Sequence, residues 1–329
     1  SLADTLSAAG YATGIIGKWH LGDRSPSLPN DMGFDSFYGA LYSNDMTPFA
    51  LYRNREIEIE APADQTRLNE HYGREARAFI EGNSEQPFFL YLAHNFPHLP
   101  LYRPADDVGR SKAGLYGDII EGLDDLVGDV VETLKQQGVY DNTLILITSD
   151  NGPWFQGSPG SSRGRKADTF EGGMHVPMVA HWPAQLVGGK QLHGISMGTD
   201  WFPTILDWID LPLPQDRIID GKSLTTMLAG TGPSPNQYLY YFAGEELMAV
   251  RDARYKYHDK RALPYVQAGS RFAPGPDKGP WLFDMSLDFN ESYDVSMLLP
   301  EEAQRLQDVL DDKREEMQQN RRGWIEQKK

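Results

Sequence analysis

The 329-residue sequence has an ordinary globular composition, with 40% hydrophobic and 24% charged residues, which excludes a disordered or collagen-like chain. The 31 Lys and Arg residues against 47 Asp and Glu residues give a net charge of −16. This charge argues against nucleic acid or an anionic membrane as the main partner. The absence of cysteine excludes a disulfide framework, a thiolate zinc site and a cysteine nucleophile. Any anion-binding function therefore needs a local cationic pocket.

Helical and strand patterns alternate along most of the chain. The first residues predict the end of an amphipathic helix that stops at Gly10. Further helical segments are predicted at residues 70–81 and 115–134, and residues 206–228 predict helical pieces interrupted by prolines. Strands are predicted at residues 12–17, 87–93, 143–148 and 176–181. This alternation predicts an α/β fold with a mainly parallel sheet sandwiched by helices.

Two stretches depart from this alternation. Residues 23–63 are rich in Pro, Asn, Asp and aromatic residues, and they predict an ordered excursion with little regular structure. Turn-forming residues cluster at 231–236, beyond which two strands and a terminal helix opened by Pro300 are predicted. We therefore predict a catalytic α/β domain over 1–232 and a smaller C-terminal subdomain, an antiparallel sheet plus a helix, over 233–329.

Chemically versatile side chains follow the predicted strands. Lys18 and His20 follow the first strand, and His98 follows the strand at 87–93. Asp150 and Asn151 follow the strand at 143–148, and they offer two oxygen ligands suited to calcium or magnesium. Because ligands of open parallel sheets bind outside the carboxyl ends of the strands, these residues are candidates for one site.

A cationic patch completes the set of candidate residues. Arg163, Arg165 and Lys166 lie in a loop of an otherwise acidic protein. Each feature alone also has a structural interpretation: a surface ion pair, a packed histidine, an ordinary Asp-Asn-Gly turn or a solvated basic loop. Together they predict a site with a hard divalent cation, lysines and histidines, which suits a sulfate or phosphate ester.

Five ordered motifs resemble those of the type I sulfatases, in particular the arylsulfatase A-like branch of the alkaline phosphatase superfamily. The motifs are AAGYATGIIGKWHLG, GFDSFYG with YSND, PFFLYLAHNFPHLP, ILITSDNGP and KADTFEGGMHVPMVAHWPA. The resemblance implies that the chain is a sulfuric ester hydrolase with the alkaline phosphatase fold.

The resemblance also assigns roles to individual residues. It implies that Lys18 and Lys166 contact the sulfate oxygens and that His20 hydrogen-bonds the nucleophile. It implies that His98 contacts the ester and assists departure of the leaving oxygen, and that Ser43 lies near the sulfate. Two further residues, Asp150 and Asn151, are implied ligands of a divalent cation, calcium in most members of this branch with magnesium as the alternative.

The sequence departs from the family pattern at the nucleophile. Family members carry paired aspartates and then a C-x-P-S-R or S-x-P-S-R motif, whose first residue becomes formylglycine, before the Lys-Trp-His motif. Here the only similar stretch, 25–27, follows Lys18. We therefore expect a chain that lacks the N-terminal formylglycine segment, binds metal weakly and is inactive alone. A sheet gap left by that segment predicts association of two copies.

Two other functions fit parts of the pattern. A phosphatase or phosphodiesterase of the same superfamily would bind a similar anion, although Asn151 suits a single hard ion better than a two-zinc site. A non-catalytic homologue would bind sulfate or a sulfated glycan without turnover. No membrane span or signal peptide is predicted, and family analogy implies a periplasmic, secreted or lysosomal setting. The expected ligand is a small sulfate ester or a sulfated glycan.

Overall fold

The computed structural model describes residues 1–260 and 279–320. The chain forms two compact units, residues 1–143 and residues 144–329. The division of the chain into a catalytic domain over 1–232 and a subdomain over 233–329 stays a prediction.

The first unit is built on a five-stranded mixed sheet. Its strands are β1 (Ala12–Lys18), β2 (Ser36–Ala40), β3 (Leu51–Arg53), β4 (Glu56–Ile59) and β5 (Phe88–Ala93). Their order is β4-β3-β2-β1-β5, with β1 parallel to both β2 and β5, and with β3 and β4 antiparallel. The parallel pairing brings the carboxyl ends of β1, β2 and β5 to one edge of the sheet.

Helices cover both faces of this sheet. They are α1 (Leu2–Ala8), α2 (Leu68–Asn83) and α3 (Gly114–Gln136). Ile15 of β1 packs in one cluster with Ala3 of α1, whereas the next residue, Ile16, packs in another with Tyr72 of α2 and Ile119 of α3. Adjacent strand residues thus face opposite layers, which confirms the predicted α/β fold with helices on both sides.

The prediction for residues 23–63 was wrong in one respect, because three strands lie within this segment. Ile15, Ile16 and Gly17 pair with Phe37, Tyr38 and Gly39 of β2. Aromatic residues such as Phe37 and Tyr38 are buried on the two faces of the sheet. The many turn-forming residues around β2, β3 and β4 obscured these short strands in the sequence. Each strand is stabilised by pairing with its neighbour in the sheet rather than by local preference.

The described residues of the second unit form two antiparallel sheets. The smaller one pairs β6 (Ile145–Thr148) with β7 (Met178–His181). The larger one has the order β11-β10-β9-β8. Its strands are β8 (Leu239–Ala243), β9 (Glu246–Arg251), β10 (Tyr255–His258) and β11 (Trp281–Asp284), and the helices of the unit are α4 (Glu171–Met174), α5 (Trp201–Trp208), α6 (Thr225–Ala229) and α7 (Pro300–Gln319).

The terminal helix closes the larger sheet as the sequence predicts. Leu306 and Leu310 of α7 are fully buried in a cluster with Val250, Tyr257 and Leu282 of the sheet. The predicted antiparallel sheet plus helix is thereby confirmed. In residues 1–260 and 279–320, no helix is long and apolar enough to cross a membrane.

Candidate active site

The carboxyl end of β1 carries Lys18 and His20. Trp19 between them is buried and donates its indole N–H to the Ser27 carbonyl at 2.7 Å. His20 is exposed and adopts a left-handed backbone with φ of 62°, and its N–H donates to the Leu41 carbonyl at 2.8 Å. Non-glycine residues rarely adopt this conformation unless the surroundings fix it. Trp19 therefore acts as an anchor that sets the positions of both neighbours.

Glycines allow the three strand ends to approach one another. Gly17 has φ of 117°, and a Cβ atom there would lie 2.0 Å from the Ala93 carbonyl oxygen. At Gly39, which has φ of 151°, a Cβ atom would lie 1.9 Å from the Gly17 oxygen. Only glycine combines a positive φ with the absence of a Cβ atom. Gly17 and Gly39 therefore permit the close packing of the strand ends at the edge that carries Lys18.

Ser43 and His98 come together from different loops at the same edge. Ser43 follows β2 and is buried, and its Oγ lies 3.3 Å from Nδ1 of His98, which follows β5. The buried Asn44 donates from Nδ2 to the Pro100 carbonyl at 2.8 Å and so ties the two loops together. The Asp45 carboxylate lies 4.0 Å from the same ring nitrogen. The structure thus places two sequence-predicted substrate residues side by side.

The two histidines of the loop after β5 have different environments. The backbone N–H of Phe96 donates to Nδ1 of His94 at 2.9 Å, and burial lowers the pKa of His94 to about 3. His94 is therefore neutral at physiological pH and structural. In His98, Nδ1 lies 2.7 Å from the Leu99 carbonyl oxygen, which can only accept, so this nitrogen carries the proton.

Asp150 and Asn151 lie directly after β6 in the second unit. The Ser149 hydroxyl donates to the Asn151 carbonyl at 3.0 Å, and the Gly152 N–H donates to the Gly173 carbonyl at 2.8 Å. The side chains offer oxygen donors of the kind that hard cations prefer. Among residues 1–260 and 279–320, no group of three or more His, Cys, Asp or Glu side chains forms a metal site. The donor chemistry of these two side chains fits a hard divalent ion.

The three cations of the basic loop have separate environments. Arg163 stacks on Phe170 at 4.1 Å and donates to the Glu291 carbonyl at 2.8 Å. Arg165 donates to the carbonyls of Trp154 and Gly157 at 2.9 and 2.7 Å. Both arginines therefore hold loops together.

Lys166 differs from the two arginines. It is half-buried, and within the described part of the chain its ammonium group makes no hydrogen bond or ion pair. Its backbone is fixed, since its N–H donates to the Pro153 carbonyl at 3.0 Å. Of the three cations, Lys166 is therefore the one with a charge that remains available to an anionic ligand.

The sequence offers aromatic candidates for lining a substrate entrance, namely Phe49, Tyr52, Trp154, Phe155 and the segment from Tyr255 to Trp281. Aromatic residues are more often part of the core, and the candidates have mixed positions. Phe49 is buried in the core, and Tyr52 is half-buried. Trp154 and Phe155 are 41% and 52% exposed, and their rings meet edge to face at 4.9 Å. Most of the candidate segment from Tyr255 to Trp281 lies outside the described residues.

The geometry agrees with a comparison against known protein families. The sulfatase family model matches residues 1–211. The chain belongs to the sulfatase family. The resemblance to type I sulfatases that the motifs indicate is thereby confirmed, and this sulfatase chain carries its predicted residues in both units: Lys18, His20, Ser43 and His98 in the first, and Asp150, Asn151 and Lys166 in the second.

Relatives with curated names agree with this assignment. The dog N-acetylgalactosamine-6-sulfatase is 32% identical over 94% of the sulfatase chain, and the mouse enzyme of the same name is 35% identical over 84%. Human arylsulfatase A is 31% identical over 90%. The sulfatase chain spans 66%, 57% and 66% of these three proteins, respectively.

Solved structures show the same fold. The PsFucS1 sulfatase from Pseudoalteromonas sp. superimposes with a TM-score of 0.87 and 26% identity, covering 98% of the sulfatase chain and 74% of its own. A Bacteroides thetaiotaomicron protein from a locus for metabolism of multiple glycosaminoglycans gives a TM-score of 0.85 and 25% identity, with coverages of 94% and 81%.

Sequence reasoning missed a set of buried charges in the second unit of the sulfatase chain. Glu171, Lys256 and Glu291 are each at most 2% exposed, and Lys256 Nζ lies 3.0 Å from Glu171 Oε1 and 2.8 Å from Glu291 Oε1. One signal was visible, because a lysine alternates with tyrosines in the strand sequence YKYH. A charged residue on the inward face of a strand indicates a buried partner.

Proposed function

We propose that this chain forms the sulfate-binding part of a sulfuric ester hydrolase that cleaves sulfate monoesters. The observation that carries this proposal is the convergence of Lys18, His20, Ser43 and His98 on one edge of the five-stranded sheet, in a chain of the sulfatase family. A cation, a buried hydroxyl and an imidazole with a fixed proton are the groups that a tetrahedral oxyanion ester requires.

The proposed roles follow from the chemistry of each side chain. Lys18 and Lys166 offset the negative charge of the non-bridging sulfate oxygens, and the Ser43 hydroxyl donates to one of them. His20 hydrogen-bonds the nucleophile. Because Nδ1 of His98 holds its proton toward the Leu99 carbonyl, Nε2 is the ring nitrogen that faces the leaving oxygen. It donates a proton to that oxygen, as the S–O bond breaks, from the imidazolium form with both nitrogens protonated, and the ring is left neutral with its proton on Nδ1.

Asp150 and Asn151 are proposed to contribute two oxygen ligands to a divalent cation, with calcium favoured over magnesium. Such an ion would add positive charge next to the sulfate oxygens. A hard cation requires six or more oxygen ligands, so we expect these two residues alone to bind it weakly.

The proposed substrate class is a sulfated glycan. The support is the 32 to 36% identity with N-acetylgalactosamine-6-sulfatases of dog, mouse and rat. The exposed Trp154 and Phe155 add a rigid apolar surface, four and five residues after Asp150, against which a sugar ring can pack. An aryl sulfate such as p-nitrophenyl sulfate is a convenient probe of the same site.

Turnover is the decisive test of the proposed reaction. The resemblance assigns the nucleophile to a formylglycine, and its motif does not precede Lys18 in the sequence. We therefore expect the 329 residues to bind inorganic sulfate without hydrolysing p-nitrophenyl sulfate. The source gene is to be sequenced upstream in frame, and its longest product assayed on p-nitrophenyl sulfate and p-nitrophenyl phosphate.

Three outcomes of this assay are distinguishable. Faster hydrolysis of the sulfate ester by a product that contains C-x-P-S-R or S-x-P-S-R supports the proposal. Preference for the phosphate ester would instead establish a phosphatase. Sulfate binding by a product without the motif and without turnover would establish a non-catalytic binding protein.

We also propose that two copies of this chain associate through β5. The strand is apolar, with the sequence FFLYLA, and it forms one edge of the described five-stranded sheet. Its Tyr91 is 50% exposed. An apolar strand at the edge of a sheet favours pairing with another chain.

A further inference from the structure

Four buried charged residues form a cluster in the second unit. Arg251 Nη1 lies 3.3 Å from Glu171 Oε2, and Lys256 lies between the carboxylates of Glu171 and Glu291. All four side chains are at most 8% exposed. Two cations therefore balance two carboxylates. We call Glu171, Arg251, Lys256 and Glu291 the buried ionic cluster.

The buried ionic cluster holds the backbone of the loop at 163–174, which carries Lys166. Oε2 of Glu291 accepts the backbone N–H of Glu171 at 2.6 Å. Lys256 Nζ donates to the Thr169 carbonyl at 2.9 Å. Arg163 at the start of the loop donates to the Glu291 carbonyl at 2.8 Å. The C-terminal sheet and the segment before α7 thus bind the loop at three points.

The loop has a conformation that needs such support. Ala167, next to Lys166, has φ of 75°, which is unusual for a residue with a Cβ atom. A Cβ atom on Gly172 would lie 2.3 Å from the Gly164 carbonyl oxygen, so the two ends of the loop are in close contact. A strained backbone persists only when its surroundings over-determine it.

Stability alone does not account for the cluster. Burying paired charges is often no better for stability than packing apolar residues of the same volume. Two hydrogen bonds of the cluster, by contrast, end on backbone atoms of the loop, at the Glu171 N–H and the Thr169 carbonyl. These bonds fix the direction of the loop backbone, which apolar packing cannot do.

We propose that Glu171, Lys256 and Glu291 are positioning residues, which hold the 163–174 loop so that the Lys166 ammonium is placed to bind a sulfate group. This inference rests on the proposed function, in which Lys166 contacts the substrate. It makes the larger antiparallel sheet, through β10, a structural support of the anion site.

The test compares two substitutions of one residue. Glu291→Leu removes the acceptor of the Glu171 N–H, whereas Glu291→Gln keeps an oxygen at that position. Titration of the full chain with sodium sulfate is expected to show about tenfold weaker binding for Glu291→Leu and binding within about threefold of the original for Glu291→Gln. Hydrogen exchange at the amides of Glu171, Gly172 and Gly173 is expected to accelerate in the leucine variant.

Two further variants separate positioning from general stability. Leu310→Ala removes a fully buried side chain of α7 that packs on the same sheet, and it should lower the melting temperature without changing sulfate affinity or loop exchange. Tyr241→Phe removes only the hydroxyl that donates to Glu171 Oε1 at 2.7 Å. It is expected to fold and to accelerate loop exchange even where the leucine variant does not fold.

Equal losses of sulfate affinity in Glu291→Leu and Leu310→Ala, or unchanged loop exchange in both Glu291→Leu and Tyr241→Phe, would overturn the positioning role. Absence of sulfate binding in the unmodified chain would instead count against the proposed function. In that case the exchange measurements still decide whether the buried ionic cluster holds the loop.

Discussion

At the scale of single residues, Lys166 is the side chain of the basic loop whose charge is available to bind an anion. Lys166→Met is expected to weaken binding of inorganic sulfate by about tenfold or more, because one charge-assisted hydrogen bond is lost. The melting temperature should stay unchanged, since the ammonium has no described partner. Lys112→Met is the matched control, because it removes the same charge from an exposed position in the first unit. Equal effects of the two substitutions in calorimetric titrations would contradict a specific role for Lys166.

The proton of His98 gives a second prediction. A carbonyl oxygen cannot donate, so the 2.7 Å contact with Leu99 requires the neutral ring to carry its proton on Nδ1. Long-range ¹H–¹⁵N NMR spectra of the labelled chain should show this tautomer for His98. They should show the opposite tautomer for His94, whose Nδ1 accepts from the Phe96 N–H. A neutral His98 ring that carries its proton on Nε2 would contradict the hydrogen bond from Nδ1 to the Leu99 carbonyl.

At the scale of elements, substitution by alanine at two glycines of α3 is expected to change stability in opposite directions. Gly128 is exposed, and a Cβ atom there would meet nothing within 4 Å, so Gly128→Ala should stabilise the chain by about 1 kcal/mol through helix propensity. At Gly122 a Cβ atom would lie 2.3 Å from the guanidinium of the buried Arg103. Gly122→Ala should therefore be destabilising. Urea denaturation of the two variants measures the difference, and equal shifts would contradict this description of the α3 surface.

The elements also show what sequence could predict and what it could not. Long apolar periods fixed α2, α3 and β5 to within a few residues, because their burial pattern is continuous along the chain. The strand β3 was not predicted, because three residues are too few to show an alternation of apolar and polar side chains. The motifs implied that Ser43 and His98 both lie near the sulfate, and the structure adds their mutual contact. The link between Glu171 and Glu291 joins residues 120 positions apart through a backbone contact that no local sequence pattern predicts.

At the scale of the whole molecule, the buried ionic cluster should make the free energy of unfolding depend on pH. Burial acts to raise the pKa of Glu171, but the charges of Lys256 and Arg251 and hydrogen bonds outweigh it and lower the pKa to about 2. A lowered pKa in the folded state stabilises the protein above the ordinary value near 4.5, and this contribution is lost as pH falls toward 2.

The same reasoning gives the expected size of the effect. Glu171→Gln should cost about 3 kcal/mol more at pH 6 than at pH 2, since each pKa unit corresponds to about 1.4 kcal/mol. Burial raises the pKa of the neighbouring Glu291. Protonation of Glu291 therefore stabilises the folded protein as the pH falls, which opposes the loss of stability caused by Glu171. Denaturation at several pH values measures the difference between variant and original chain. A penalty that does not change with pH would show that Glu171 is not held as a carboxylate.

The exposed edge of β5 leads to a prediction about the oligomeric state of the chain in solution. We expect the mass from light scattering to rise above 37.0 kDa with concentration, because the apolar edge strand can pair with a second copy. Tyr91→Lys places a charge on this strand at a side chain that is 50% exposed, and it should restore the monomer. Tyr102→Lys makes the same change at a residue that is 38% exposed and lies outside the sheet, and it should leave association unaltered. A constant mass of one chain at every concentration would show that the edge of β5 does not pair.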